Sequence, residues 1–295
     1  MYYITSKFPM FMATFNMYTY QFNPIFDLPI GSLFDEFFIQ EQDNIMSQKN
    51  IVFENVILTA IHNLEFYHRS RKLSAQLIFH QKDIIAFKIA NKRKIVLEKK
   101  FVESTETNEP STLILIYNNN NIQRIAIEQH REAFPDTDIV AKIIQNAASR
   151  LMYNDKLSVT IRKEYCETEF WNFVKANPNQ IQMIRFEFEY PNLPRLHETI
   201  SDIIKEAGKS ISGDRAIIQY EATNGGLNLD ENNETLKQLN RVSSESGNPI
   251  TFRLRGMREH HKTGRTTITK EIDELDITTD KVDDIIKILG AIDNE

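Results

Sequence analysis

Residues 73–127 read LSAQLIFHQKDIIAFKIANKRKIVLEKKFVESTETNEPSTLILIYNNNNIQRIAI, and this stretch decides the fold class. Short runs rich in β-branched and aromatic residues alternate with polar, turn-forming clusters, which is the pattern of strands joined by turns. The polar segments Glu103–Ser111 and Asn118–Asn121 read as surface loops between such strands. The stretch therefore predicts an antiparallel meander of about five strands. The predicted strands are Ala75–His80, Ile84–Ala90, Ile95–Val102, Leu113–Tyr117 and Ile122–Ile127.

Helices and one further strand flank this meander. The aromatic-rich segment Met12–Phe22 alternates loosely between apolar and polar positions and predicts a strand. Apolar stripes predict helices around Leu33–Phe38 and Ile51–Ile57, although a buried strand fits the second stripe equally well. A helix with acidic residues in its first turn is expected from Asp136 to Leu151. These elements predict an N-terminal domain, residues 1–155, that combines an antiparallel meander with flanking helices.

The remaining residues alternate between strand and helix patterns, which predicts a second domain of residues 156–295. Such alternation favours helices packed on a mixed or mainly parallel sheet. The whole chain is therefore expected to belong to the mixed α/β class. The expected strands are Leu157–Ile161, Met183–Phe188, Ala216–Tyr220, Ile250–Leu254 and Thr266–Ile272, and the expected helices are Thr168–Val174, Arg195–Ala207, Glu234–Ser244 and Lys281–Leu289.

Composition narrows the class of protein. Hydrophobic residues make up 41% and charged residues 26% of the chain, which is typical of a folded globular protein. Cys166 is the only cysteine, so no intrachain disulfide forms and a reducing, cytoplasmic setting is expected. Cys166 precedes a predicted helix, so it is either a thiol of lowered pKa or a small buried hydrophobe. No apolar run is long enough for a membrane span, and we expect no membrane association.

Charge is distributed unevenly around a net value of −6. Between Arg69 and Lys100 there are ten Lys or Arg residues against Asp83 and Glu98, whereas Glu271–Glu295 is acidic. We expect the basic residues of the meander to form one positive patch, and a second basic cluster surrounds the connection from Gly256 to Gly264. The predicted phosphate-binding residues are Arg69, Arg71, Lys72, Lys92, Arg93 and Lys94 in the first cluster, and Arg253, Arg255, Arg258, Lys262 and Arg265 in the second.

These clusters are the strongest functional signal in the sequence. Arginine forks bind phosphate oxygens in a bidentate manner without reading bases, so the first hypothesis is a non-enzymatic subunit that binds nucleic acid or another phosphate-rich ligand. Basic strand turns also occur as solvated faces that protect sheet edges, and a block of positive charge equally suits an acidic protein partner. A protein-docking scaffold, with the aromatic N-terminal strand offered as a sheet edge, is a further alternative.

An enzymatic alternative depends on Asp83, Glu98 and Lys100. Glu98 and Lys100 stand two residues apart and so share one face of the predicted strand. Two carboxylates would hold Mg²⁺ and the lysine would position or activate the attacking water, which describes a metal-dependent nuclease. Apart from Mg²⁺ in this alternative, no cofactor is expected, and the histidines lack the i, i+4 spacing of a metal site on a helix.

Three segments resemble an uncharacterised bacterial family found in accessory genomes, some members of which lie near anti-phage genes. The segments are FEFEYPNLP at 186–194, NGGLNLDEN at 224–232 and RIAIE at 124–128. The resemblance extends over most of the chain but includes no catalytic signature, so it assigns no functional residue. It implies a defence-associated role and nothing more. Separately, we expect the protein to be able to form a complex with the product of a neighbouring gene.

Overall fold

The computed structural model describes residues 12–25, 42–99, 101–120, 122–189, 215–273 and 276–290. Five helices and fifteen strands in antiparallel sheets lie within these residues, which confirms the mixed α/β class. The expected helices around Leu33–Phe38 and over Arg195–Ala207 lie outside the described residues. Among the described helices, none combines the length and the apolarity that a membrane span requires.

The elements follow one another in a fixed order along the chain. The strands are β1 Met12–Pro24, β2 Tyr67–His68, β3 Arg71–Lys72, β4 Ser74–Gln81, β5 Ile84–Ala90, β6 Arg93–Lys99, β7 Val102–Asn108, β8 Ser111–Asn118, β9 Gln123–Glu128, β10 Leu157–Lys163, β11 Ile181–Glu189, β12 Arg215–Glu221, β13 Thr251–Leu254, β14 His260–Lys262 and β15 Thr269–Asp273. The helices are α1 Gln42–His62, α2 Thr137–Leu151, α3 Thr168–Ala176, α4 Glu234–Glu245 and α5 Val282–Gly290.

The chain folds into two compact units, and each unit contains residues from separate parts of the sequence. Unit 1 contains residues 12–17, 24–158 and 269–290, and unit 2 contains residues 18–23 and 159–268, within the described part of the chain. Two continuous domains meeting at residue 155 were expected from the sequence. There are two differences. Residues 18–23 of β1 belong to unit 2, and the last strand and helix, β15 and α5, belong to unit 1 although unit 2 precedes them in the chain.

The sheet of unit 1 has the strand order β1-β9-β8-β5-β4, with β15 paired to β1. Residues 112–118 of β8 are all buried, which shows that both faces of the sheet are covered at its centre. Asn118 donates a hydrogen bond to the Asn50 carbonyl oxygen of α1, whereas the ring of its neighbour Tyr117 lies beside Gly290 of α5. Because successive side chains of a strand point to opposite faces, α1 and α5 cover opposite sides of this sheet.

The aromatic N-terminal strand is not an edge. Residues 12–16 of β1 pair antiparallel with β15, and on its other side the Thr14 carbonyl oxygen accepts a hydrogen bond from the amide of Gln129 directly after β9. The N-terminal strand therefore has neighbours on both sides in unit 1, and the expectation that it offers a free edge is wrong.

One hairpin extends from the core of unit 1 far beyond its sheet. Ile84 faces Tyr117, Ala90 faces Ser111, Arg93 faces Asn108 and Lys99 faces Val102. The same antiparallel register holds along the whole length of these strands. The segment from β5 to β6 and the segment from β7 to β8 therefore form one continuous hairpin without a bulge. The ladder is interrupted only near Pro110, which lacks a backbone N–H. Before this point β5 and β8 are buried, and beyond it residues 103–108 are all exposed.

This hairpin corrects the prediction for Glu103–Ser111. The segment was expected to be a polar loop, but most of it forms the strand β7. A strand exposed on both faces needs no alternation of apolar and polar residues, so the sequence lacks the usual period of two. We call the projecting part, β6 and β7 with the turn between them, the ribbon.

Unit 2 is built on a four-stranded sheet with the order β12-β11-β13-β14. All three strand pairings in this sheet are antiparallel, so the mixed sheet expected from the alternation of elements is not found in it. Helices α3 and α4 contribute Phe170, Leu236 and Leu239 to one core with Phe186 and Phe252 of the strands. The rings of Phe173 and Phe252 lie 4.5 Å apart in the same layer. The opposite face of the sheet carries mostly polar side chains.

Candidate nucleic-acid interface

The first basic cluster gathers at one end of the unit 1 sheet. Ser74, which follows Lys72 by two residues, pairs with Ala90, which precedes Lys92 by two residues. The register therefore brings the segment Arg69–Lys72 and the base of the ribbon to the same end of the sheet, as the sequence analysis expected. Arg69, Arg71, Lys72 and Lys94 are exposed there, and we call these four residues the unit 1 basic surface.

A tight turn presents the first of these residues. His68 pairs with Arg71, so Arg69 and Ser70 form a two-residue hairpin turn in which both residues have positive φ, 47° and 64°. The Arg150 guanidinium lies 5.2 Å from the centre of the Tyr67 ring and steadies this hairpin from the side. Burial, together with the neighbouring Arg69 charge, lowers the pKa of His68 below its ordinary value. His68 is therefore neutral at pH 7 and adds no charge to the surface.

Two of the predicted residues at this end already have partners. The Lys92 ammonium lies 3.3 Å from the Glu109 carboxylate across the ribbon. Arg93 is half-buried and donates a hydrogen bond of 2.9 Å to the Ala133 carbonyl oxygen. Lys92, Arg93 and Lys94 fall between the strands predicted at Ile84–Ala90 and Ile95–Val102, where an exposed turn is expected. In the structure Arg93 and Lys94 lie in β6, and Arg93 anchors the base of the ribbon to the loop after β9. Of the three, only Lys94 is available to a ligand.

The sequence analysis overlooked Arg131 in that same loop. Arg131 is exposed and stands two residues before Ala133, whose carbonyl oxygen accepts hydrogen bonds from both Asn91 and Arg93. It therefore lies close to the base of the ribbon. A lone arginine beside Glu132 gives no local signal, because only the long-range contact of this loop with residues 91–93 places it near the other cations.

The second basic cluster forms the hairpin β13–β14 and the loop after it. Arg255 and Arg258 are exposed in the turn, and Lys262 and Arg265 are exposed beyond it. We call these four residues the unit 2 basic surface. Arg253 does not belong with them, because its guanidinium forms an ion pair with Glu221 of β12. Glu221 of β12 and Arg253 of β13 both pair with Met183 of the strand between them, β11. Their ion pair therefore covers Met183, which explains why this side chain is only 2% exposed on the polar face.

The loop that carries Arg265 is fastened by a carboxylate of α3. Glu169 accepts hydrogen bonds from the backbone amides of Gly264, Arg265 and Thr266 at 3.0–3.2 Å. Three successive amides that converge on one anion hold a loop firmly, because each donor is satisfied by the same charged group. Gly264 has φ of +101°, a conformation that favours glycine. This clamp fixes the position of Arg265 and was not predicted from the sequence.

The hypothetical nuclease residues do not come together. Asp83 lies at the start of β5, where it accepts a hydrogen bond of 2.7 Å from Asn119 and, secondary to burial, raises the pKa of Tyr117. Glu98 lies near the far end of the same hairpin and faces Glu103. The two carboxylates are therefore at opposite ends of a ladder, and Lys100 lies outside the described residues. In the part of the chain that the structure describes, no group of three His, Cys, Asp or Glu side chains is arranged to hold a metal ion.

Cys166 and the histidine pair His260–His261 have packing or hydrogen-bonding neighbours in unit 2. Cys166 is half-buried, and its thiol lies 3.9 Å from the Thr267 carbonyl oxygen. The ring of His261 packs against Phe173 at 5.4 Å, while His260 pairs with Arg253 on the outer strand.

No protein-family model matches the chain, and a search of curated proteins returns no match.

Proposed function

We propose that the protein is a non-enzymatic recognition subunit that binds nucleic acid through its two basic surfaces. The observation that supports the proposal is that the cations of these surfaces have no ion-pair partner among the described residues. Among the described residues, no carboxylate lies within ion-pair distance of Arg69, Arg71, Lys72 or Lys94, although the chain is acidic overall. Four such cations at one end of a sheet attract a polyanion, because binding releases the counterions condensed on its phosphates.

The unit 2 basic surface supports the same proposal. Arg255, Arg258, Lys262 and Arg265 are exposed and, within the described residues, have no ion-pair partner either. Arginine predominates in this surface, and its planar fork suits phosphate oxygens better than the point charge of lysine does. The sequence contains no motif typical of base readout, so we expect the protein to bind the phosphate backbone without strong sequence preference.

The setting of this activity is also a proposal. The resemblance of residues 124–128, 186–194 and 224–232 to a bacterial family found near anti-phage genes supports a role in a defence assembly, with the product of a neighbouring gene as a partner. The single cysteine supports a cytoplasmic location. The nuclease alternative gains no support from the positions of Asp83 and Glu98, and it remains a prediction that the same experiment tests.

The test is a fluorescence-anisotropy titration with labelled single- and double-stranded DNA and RNA at 50 and 200 mM salt, with and without Mg²⁺. Four phosphate contacts predict that the affinity falls about 100-fold between the two salt concentrations. Salt-independent binding, or no binding at 50 mM salt, would contradict the proposal. Cleavage that requires Mg²⁺ would replace it with the nuclease.

A pair of matched variants locates the contact. The double variant Arg71→Glu, Lys72→Glu is expected to bind at least tenfold more weakly, because it replaces two attractive contacts by repulsive ones. The control variant is Lys142→Glu, Lys287→Glu, which changes the net charge equally at exposed positions of α2 and α5. Equal losses in both variants would show that total charge governs binding, in which case the unit 1 basic surface is not the site.

A further inference from the structure

The ribbon carries an exposed aromatic side chain at its tip. Lys99 pairs with Val102, so the turn consists of the two residues between them, and the second of these is Phe101. The Phe101 side chain is 96% exposed, more than any other large hydrophobic residue in the described chain. An aromatic ring left in water adds nothing to the stability of the isolated fold, and such exposure marks contact sites.

The backbone at Phe101 adds a second observation. Its φ is 65°, in the left-handed region that glycine or asparagine normally occupies in a two-residue hairpin turn. Phe101 is the only aromatic residue among the described non-glycine residues with positive φ. The turn therefore holds a ring in a conformation that a glycine would adopt without strain. Backbone strain of this kind is found at positions that contact a ligand.

The charges of the ribbon nearly cancel. Glu98 and Glu103 face each other across the two strands, and both are exposed. The sequence sets four basic residues of the ribbon against three acidic ones, so the ribbon itself attracts a polyanion only weakly. The basic residues are Arg93, Lys94, Lys99 and Lys100, and the acidic residues are Glu98, Glu103 and Glu106. A contribution of Phe101 to binding must therefore come from its ring.

The ribbon joins this ring to the unit 1 basic surface. Lys94 belongs to that surface and is the second residue of β6, and Phe101 follows it by seven residues. At about 3.3 Å per residue, the ring lies up to about 23 Å from Lys94. A stacked nucleic-acid strand advances about 3.4 Å per nucleotide, so about seven nucleotides extend from the basic surface to the ring.

Hydrogen-bonding side chains lie along the same path. Thr107 pairs with Lys94 across the ribbon, so both exposed residues are on one face. The other described residues of β7 from Glu103 to Asn108 are also polar and exposed. Threonine, serine and asparagine side chains commonly contact the sugars and phosphates of nucleic acids. The ribbon thus combines a basic start, a polar middle and an aromatic end.

We propose that the Phe101 ring stacks on an unpaired base of a single-stranded nucleic acid whose phosphates lie on the unit 1 basic surface. The inference rests on the proposed function and names its substrate class, a single strand of about seven nucleotides or more. A single strand offers unstacked bases to an aromatic ring, whereas in a duplex each base is already covered by its neighbours.

Fluorescence anisotropy with labelled oligodeoxythymidine of about four and about twelve nucleotides, and with a duplex of about twelve base pairs, tests the proposal. Phe101→Gly is expected to bind the longer single strand about tenfold more weakly, with the same dependence on salt, because stacking involves no phosphate. Phe101→Trp, which keeps an aromatic ring, should bind it at least as tightly as the wild type. The shorter strand and the duplex should not distinguish the three proteins.

Two controls separate stacking from damage to the fold. The free energy of unfolding of Phe101→Gly should be unchanged or higher, because glycine suits a φ of 65°. Tyr153→Ala, which truncates a 51% exposed ring elsewhere in unit 1, should bind like the wild type.

Phe101→Trp also gives a direct signal of stacking. The only native tryptophan, Trp171, packs against the core of unit 2, so the introduced tryptophan is the exposed one at the ribbon tip. Its emission should be quenched by the longer single strand and not by the duplex.

The outcomes separate this inference from the proposed function. A Phe101→Gly variant that binds the longer single strand with wild-type affinity and salt dependence would overturn the stacking and leave phosphate binding intact. Equal losses for the single strand and the duplex would overturn the choice of substrate class. Absence of salt-dependent binding in the wild type would remove both proposals together.

Discussion

Tyr165 illustrates how one buried hydroxyl group makes stability depend on pH. Its hydroxyl donates a hydrogen bond of 2.6 Å to the Asn248 carbonyl oxygen inside unit 2. Burial raises the pKa of Tyr165 well above the ordinary value of 10, an effect only partly offset by a hydrogen bond with Thr263. The folded protein therefore keeps this proton at pH values where the unfolded chain releases it. The contribution to stability is complete below pH 10 and declines as the pH rises further.

Tyr165→Phe tests this account. At pH 7 the variant should lose about 1 kcal/mol of unfolding free energy, because the Asn248 carbonyl oxygen loses its buried donor. Urea unfolding of both proteins between pH 8 and 11 should show that the difference shrinks above the ordinary tyrosine pKa of about 10, since only the wild type is penalised when the unfolded tyrosine ionises. A difference that stays constant over this range would mean that Tyr165 titrates in the folded protein as it does in water.

At the residue scale, the sequence predicted which basic residues cluster but not which of them are available to a ligand. Their identity and clustering were readable from the sequence, and the register of β4 and β5 brings Arg71 and Lys72 to the end where the ribbon begins. Their availability was not readable. Arg93 donates to Ala133 at a sequence separation of 40, and Arg253 donates to Glu221 at a separation of 32. Partners this distant are set by strand pairing and carry no local signal.

Among the elements, the ones that bury a face were predicted well. Helix α2 begins after Asp136, whose side chain accepts a hydrogen bond from the amide of Asp138, and it buries Ile143, Ile144 and Ala147 along one face. Strand β7 was missed because it buries no face, and β14 was missed because a strand of three residues is too short to show a period. The antiparallel order of unit 2 was missed because alternation of elements does not determine which strands become neighbours.

The end of α4 provides a test at this scale. Gly247 follows the helix cap Ser246 with φ of +63°, and a Cβ atom there would lie 2.6 Å from Cβ of Arg162 and 2.7 Å from the Lys163 carbonyl oxygen of β10. Gly247→Ala should therefore lower the unfolding free energy by about 3 kcal/mol, through backbone strain and a clash together. Gly225→Ala is the matched control, because φ there is +85° but nothing lies within 4 Å of the added atom.

Chemical denaturation of the two variants separates the two causes. The Gly225→Ala variant should lose only the strain, about 1 kcal/mol. Equal losses in both variants would mean that α4 and β10 move apart to accommodate the methyl group, and that the close approach at Gly247 is not needed for the fold.

The return of the chain to unit 1 has a consequence during protein synthesis. β1 acquires its partner β15 only through residues 269–273, and Arg124 of β9 donates to the carbonyl oxygen of Leu289 in α5. A ribosome that has released residues 12–158 has therefore not released all of the unit to which they belong. Unit 2, whose described residues are complete by position 268, leaves the ribosome before unit 1 can close. During this interval residues 12–16 of the aromatic strand β1 lack the partner β15, so we expect nascent chains in this window to be prone to aggregation.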